Sequence, residues 1–412
     1  MPEGTIKFYQ ELMKAILTRC STVLLAVLLL GLACAAQTIK RLDAKHLEAT
    51  DLTTYIRQLM DTAKVTGLGI AVFNNNKPVY SKTFGYANLP HKKKLTASAY
   101  LYGASFSKAV FAYLVMQLVG EGILDLDKPL VQYLPRPLLS YTFPGKLKEY
   151  RDLEGDKRYE KITARMCLSH TTGFPNFRWF EPDKKLRIKF KPGTRVSYSG
   201  EGMYLLQLVV QEITKTDLET LAQQRVFNPL NMFNTSYKWQ PAFEENLVVG
   251  HDSEGNTIDF PRRIDANAAG SMVTTLDDYI RFYTALLQGK RLKPAQWKEM
   301  TSPQIRIHAI KQFGPLSWKD STLNDPIQLS YGLGFGIIQT PYGRAFFKEG
   351  NDRGWGHYSI AFPDQKTAIV IMTNSENGES IFRDLLAYAI ADIYTPWQWE
   401  NYIPWQQKQA NR

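Results

Sequence analysis

Apolar residues first dominate between Ser21 and Ala36, where STVLLAVLLLGLACAA carries no charge. At 16 residues the run is short for a membrane span of roughly 20. Lys14 and Arg19 precede it and small residues end it, which is the pattern of a secretory signal peptide. Next, DLTTYIRQLMDTA at 51–63 predicts a helix capped by Asp51, and GLGIAVFNNNKPVYSKTFGYAN predicts a β-hairpin turning at Asn74-Asn75-Asn76. In SFSKAVFAYLVMQLVGEG, Phe106, Val110, Leu114, Val115 and Leu118 recur at helical spacing until Gly120 and Gly122 end the pattern. From about 121 to 329 helix and loop prevail, with a long polar stretch at 140–161. Strands return in YGLGFGIIQT, GRAFFKEG, HYSIAFP and TAIVIMTN, and SIFRDLLAYAIADIY predicts a closing helix.

A sheet split between the two chain ends, with helices between, makes those ends one subdomain of an α+β fold. The expected organisation is a signal peptide at 1–36, a catalytic domain at 37–396 and a Trp-rich tail at 397–412. Within the domain, about 50–120 and 330–396 supply the α/β part and about 121–329 a mainly helical subdomain. Trp397, Trp399 and Trp405 in the tail are expected to pack on the body rather than bind a partner.

Composition narrows the picture. The chain has 412 residues, 44% hydrophobic and 22% charged, which is ordinary for one large globular domain or two. Two of its three cysteines, Cys20 and Cys34, fall in the signal, so export would leave only Cys167 and no internal disulfide. Cleavage after Ala36 is expected, giving a periplasmic or cell-envelope protein. A lipoprotein reading, anchored at Cys34, competes because Leu32-Ala33 precede that cysteine. Against it, Gly31 stands where such signals carry an aliphatic residue. The net charge of +11 is compatible with envelope association, though a solvated basic surface explains it as well. No nucleic-acid motif appears, and the six histidines show no metal-ligand spacing. No cofactor or metal is therefore expected, and a monomer is the expected state.

The candidate chemistry starts at Ser105-Phe106-Ser107-Lys108. This S-x-x-K opens the predicted helix, so Lys108 lies one turn from Ser105 on the same face. A serine becomes a nucleophile beside a base, and a lysine whose charge is suppressed can be that base. The helix dipole adds partial positive charge where an oxyanion would form. Tyr198-Ser199-Gly200 follows 93 residues after Ser105, and Lys348-Glu349-Gly350 follows 150 residues after Tyr198.

S-x-x-K, Y-x-(N/G) and K-x-G in this order resemble the penicillin-recognising serine hydrolases. The closest likeness is to class C β-lactamases, their D-alanyl-D-alanine peptidase relatives and related esterases. GILDLDKPLVQYLP, CLSHTTGFP, AAGSMVTTLDDYIRFYTALLQG and YGLGFGI share it, over roughly residues 50–395. The resemblance implies an antiparallel sheet flanked by helices, an inserted helical subdomain and a site between them. It implies Ser105 as nucleophile, Lys108 and Tyr198 as the base system, and Lys348 as the third cationic element. It also implies an oxyanion hole from the backbone N–H groups of Ser105 and Asn351, with Gly350 allowing close approach of substrate. One cation near 4 Å is worth up to about 4 kcal/mol at an effective dielectric of 20. Two lysines could thus lower the Tyr198 phenol by up to about three units, desolvation opposing. His170 is expected to be structural and Cys167 a core residue. No G-x-S-x-G elbow or S-D-N motif occurs.

Two departures bear on substrate. Gly200 stands where β-lactamases carry an asparagine that grips an acylamino group. Glu349 stands where a threonine would help hold a carboxylate; it would repel an anionic substrate unless paired with Lys348 or Arg353. The expected function is an exported serine hydrolase acting on a D-amino-acid peptide, β-lactam or ester, with a cell-wall peptide or small molecule as its only partner. The alternative is a non-catalytic penicillin- or peptidoglycan-binding protein of the same fold.

Overall fold

Nine antiparallel strands form the central sheet, and its middle joins the two ends of the chain. A computed structural model describes residues 38–141 and 149–410, with Gly4 and Met13. The uncharged run at 21–36, the signal-peptide expectation and both N-terminal cysteines lie outside the described residues. The strands are β1 (Gly67–Asn74), β2 (Lys77–Asn88), β3 (Lys93–Lys94), β4 (Ile305–Arg306), β5 (Ser330–Tyr331), β6 (Gly336–Thr340), β7 (Gly343–Asp352), β8 (Trp355–Phe362) and β9 (Thr367–Thr373). Their order is β4-β5-β6-β7-β8-β9-β1-β2-β3, with Ile371 of β9 opposite Ile70 of β1.

The principal helices are α1 (Ala49–Ala63), α2 (Phe106–Gly120), α3 (Gly200–Thr214), α4 (Leu276–Leu287), α5 (Phe382–Ile390) and α6 (Trp397–Glu400). The central strands are buried on both faces, so they read as unbroken apolar runs. Their side chains still alternate. Leu68, Ile70, Val72, Ile369 and Ile371 pack with α1 and α5, whereas Ala71, Phe73, Val370 and Met372 pack with α2 and α4. Trp397, Trp399 and Tyr402 of the tail join the first of these cores, so the tail packs on the body as expected.

Local differences from expectation have physical reasons. Helix α1 begins at Ala49, so Asp51 lies in its first turn rather than capping it. There its carboxylate still faces the positive end of the helix dipole. Asn75 and Asn76 take left-handed φ of 52° and 58°, the geometry of the two-residue hairpin turn. The single strand expected at 331–340 is two short ones. The chain reverses at Gly334, whose φ of +91° suits glycine alone, and a Cβ there would lie 2.5 Å from that of Ala112. The edge strand at Ile305–Arg306 was not foreseen.

Candidate active site

Helix α2 brings Ser105 to the site. Every residue from Phe106 to Leu118 is buried, so this is a core helix all round rather than an amphipathic one. Ser105 is its N-cap residue, and its side chain makes no capping bond. Ala104, just before it, sits at φ +43°, a strained conformation for a residue with a Cβ. Such strain persists where the surroundings over-determine it, as beside a presented nucleophile.

Lys108 is 1% exposed. Its Nζ lies 2.9 Å from Ser105 Oγ and 2.6 Å from the Ala269 carbonyl oxygen. Burial pushes this amine well below the usual lysine range, and the neighbouring Lys348 pushes it further, with Glu349 opposing. Deprotonated, Lys108 donates to Ala269 and keeps a lone pair for the Ser105 proton.

Tyr198 and Lys348 complete the cluster. Lys348, fully buried on β7, donates to the Tyr198 hydroxyl at 3.0 Å and to Glu349 Oε1 at 2.7 Å. Both lysine amines stand 4.8 Å from the Tyr198 ring centroid. Of the two opposing effects on the Tyr198 phenol, desolvation prevails. Burial raises it well above 10, and Glu349 adds to the rise, with Ser105 opposing through a hydrogen bond. A raised phenol favours a hydroxyl that can donate and relay a proton.

Glu349 is 2% exposed at the cavity wall, paired with Lys348 and accepting from Gln312 Nε2 at 3.1 Å. Arg353, the other partner considered, reaches Glu376 instead, at 3.6 Å. Gly350 faces the start of α2: a Cβ there would lie 3.2 Å from the Phe106 backbone nitrogen. Its lack of a side chain lets β7 lie against the start of α2. Asn351 lines the same cavity as Ser105, and its side chain is engaged by Glu379. Burial raises the Glu379 carboxyl to about 7. Gly200 opens α3 directly after Ser199, its cap. A Cβ on Gly200 would strike the Phe177 ring at 2.2 Å.

His170, expected to be structural, is buried beside Tyr198 and does not line the cavity. Its Nδ1 accepts from Ser199 N at 3.2 Å, its ring packs on Tyr198 and Tyr331, and burial holds it well below the usual histidine range. Cys167 is buried and its thiol is pushed up by burial. Residues not foreseen include Gln312, the lysine's acceptor carbonyl at Ala269, and the aromatic walls Phe177, Trp179, Phe313 and Trp318. Glu400 of the tail was also missed. It is buried, and its carboxyl is raised well above 4.5 by burial and by Glu349. The aromatic run at 177–180 was the one visible signal among these.

Ser105, Lys108, Tyr198, Glu349 and Asn351 thus line one cavity of about 840 Å³, with Lys348 behind Glu349. The chain is similar to known proteins in sequence and in fold. The chain is 25% identical to a beta-lactamase of Escherichia coli (strain K12) over 351 residues, which cover 77% of this chain and 86% of that protein. It is 23% identical over 221 residues to protein flp of Staphylococcus aureus (strain MRSA252), covering 50% of this chain but only 42% of flp. In structure it matches EstCE1, described as a hydrolase with promiscuous acyltransferase activity, with a TM-score of 0.66 and 17% identity over 84% of this chain and 98% of that one. The Beta-lactamase family model matches residues 52–393, a span that holds every residue of the cluster. The chain belongs to the beta-lactamase family.

Proposed function

We propose that this protein is an exported serine hydrolase that forms an acyl-enzyme on Ser105 and acts on esters without a carboxylate beside the scissile bond. The observation that carries the catalytic part is the Lys108 amine, buried, depressed and 2.9 Å from Ser105 Oγ. Ser105 Oγ attacks the ester carbonyl carbon as its proton passes to Lys108 Nζ. Collapse of the tetrahedral intermediate breaks the bond to the alcohol oxygen. That oxygen takes a proton from Tyr198, which is replenished from Lys108. Water then attacks the acyl-enzyme by the reverse relay, releasing the acid and restoring Ser105. The N-terminus of α2 stabilises the developing oxyanion through its dipole and the backbone N–H of Ser105.

The ester preference rests on Glu349. Its carboxylate stands between the cavity and Lys348 and pairs with that lysine at 2.7 Å. The cation that would hold a substrate carboxylate is thereby matched by a fixed one. The likeness in fold to EstCE1, a hydrolase, is in keeping with this reading. The test is labelling by a fluorophosphonate followed by mass spectrometry, with Ser105→Ala as control, beside turnover of p-nitrophenyl acetate and of the anionic β-lactam nitrocefin. Labelling at Ser105 with acetate turnover well above nitrocefin turnover is expected. Absence of any adduct would sink the catalytic reading in favour of a binder.

A further inference from the structure

The cavity has an aromatic lip that the acyl-enzyme chemistry does not require. Phe177 and Trp179 stack nearly parallel, with ring centroids 4.2 Å apart and planes 8° apart. Phe180 stands edge-on to both, at 5.9 and 6.0 Å, and is 69% exposed. An exposed phenylalanine beside a half-buried tryptophan, at the mouth of a cavity, is apolar surface held open to whatever enters.

The lip is rigid. Arg178, between the rings, points the other way into the protein and is 1% exposed. Its Nε and Nη2 bond Glu201 at 3.0 and 2.8 Å, and its backbone N–H bonds the same carboxylate at 2.9 Å. The Asn176 carbonyl accepts from Gly200 and Glu201 at the start of α3. Gly200 also makes room for the lip, because any side chain there would occupy the place of the Phe177 ring. An aromatic face thus fills the position from which a polar side chain at 200 would reach the substrate.

Position decides which half of a substrate meets it. The Phe177 centroid is 5.9 Å from Lys108 Nζ, which is 2.9 Å from Ser105 Oγ. The group attached to Ser105 therefore lies within reach of the ring. The leaving alcohol departs past its proton donor, Tyr198, beside which the cavity residue Phe313 stands at 5.4 Å. We propose that Phe177, Trp179 and Phe180 form a subsite for a flat aromatic acyl group, of benzoyl or phenylacetyl size. The proposal rests on the ester reading above. Flat rings suit it because stacked and edge-on faces are both already in place. Their side chains need little further ordering on binding.

The experiment compares kcat/KM for p-nitrophenyl benzoate and p-nitrophenyl acetate in wild type, Trp179→Leu and Phe177→Leu. Each ester's intrinsic reactivity cancels when variant is divided by wild type. The benzoate-to-acetate ratio is expected to fall about tenfold, or about 1.4 kcal/mol. The ratio between acetates of 4-nitrophenol and 4-methylumbelliferone should hold. A benzoate-to-acetate ratio that does not move overturns the subsite. A shift in the alcohol series alone overturns its assignment to the acyl half. Phe177 packs on Gly200, so its variant is accompanied by a thermal melt. If it misfolds, Trp179→Leu, which leaves the Phe177 ring in place against Gly200, decides. Wild-type protein that turns over no acetate removes the ester reading and the subsite with it. Acetate turnover with unchanged ratios removes the subsite alone.

Discussion

Glu349→Gln separates a charge matched by its neighbour from one that is free. The carboxylate accepts from Lys348 at 2.7 Å and from Gln312 at 3.1 Å, with 2% of its surface exposed. Glutamine keeps the shape and leaves an acceptor oxygen for Lys348, but removes the negative charge. A substrate carboxylate about 4 Å from the freed cation would gain about 1 kcal/mol at the dielectric of water and about 4 kcal/mol at an effective 20. In kcat/KM that is roughly fivefold to nearly a thousandfold. The gain should appear with nitrocefin and shrink as salt is added. It should be absent with p-nitrophenyl acetate, which carries no charge.

The same variant should move the acid limb of the neutral ester's pH profile. Lys108 works only when deprotonated, so the rate rises as pH climbs through its pKa. Burial and Lys348 lower that pKa, and Glu349 raises it. Removing Glu349 should therefore carry the limb to lower pH. Breaking a buried pair typically costs about 3–5 kcal/mol. The Tyr198 hydroxyl and the new amide still accept from Lys348, so a folded protein with a lower melting temperature is expected. Equal changes for nitrocefin and acetate, or a limb displaced to higher pH, would refute the charge argument.

Ser105→Ala should abolish turnover, and Lys108→Ala should be nearly as severe, with the double variant no worse, as steady-state kinetics would reveal. Lys348→Met should shift the acid limb to higher pH, opposite to Glu349→Gln, because the cation that depresses Lys108 is gone. Arg178→Met should lose about 3–5 kcal/mol in denaturant unfolding by stranding the buried Glu201 carboxylate. Protein extracted from the envelope should begin near Gln37 or at a lipidated Cys34, and an intact mass that retains residues 1–33 would defeat the export proposal.

Local signals were legible where one short segment decides the outcome. The apolar runs from 343 to 374 marked β7, β8 and β9 because strands buried on both faces leave no polar alternation to find. Ser105 and Lys108 could be placed because a helix turn fixes their separation whatever packs around it. The strand at Ile305–Arg306 was invisible because two residues carry no period. The expected strand at 331–340 divided because a turn at Gly334 depends on Ala112, far away in sequence.

The site's electrostatics were beyond the reach of spacing for a related reason. Lys348, Glu349 and Tyr198 were all named from motifs, but their charges depend on who pairs with whom. Adjacent residues on a strand ordinarily point to opposite faces, so the sequence could offer Lys348 and Arg353 as partners of Glu349 but not choose between them. Lys348 and Glu349 do meet, because Lys348 turns to Tyr198 and Gln312 draws Glu349 to the same place. The backbone N–H of Gln312 donates in turn to the carbonyl of Trp399, at 2.9 Å. The tail, expected only to pack, thereby fixes the loop that fixes Glu349. Two lysines around a tyrosine suggested a phenolate; burial of the hydroxyl and the nearby Glu349 carboxylate instead push the Tyr198 phenol up. In the proposed mechanism the chemistry then divides: the depressed Lys108 would take the proton and Tyr198 would pass it on.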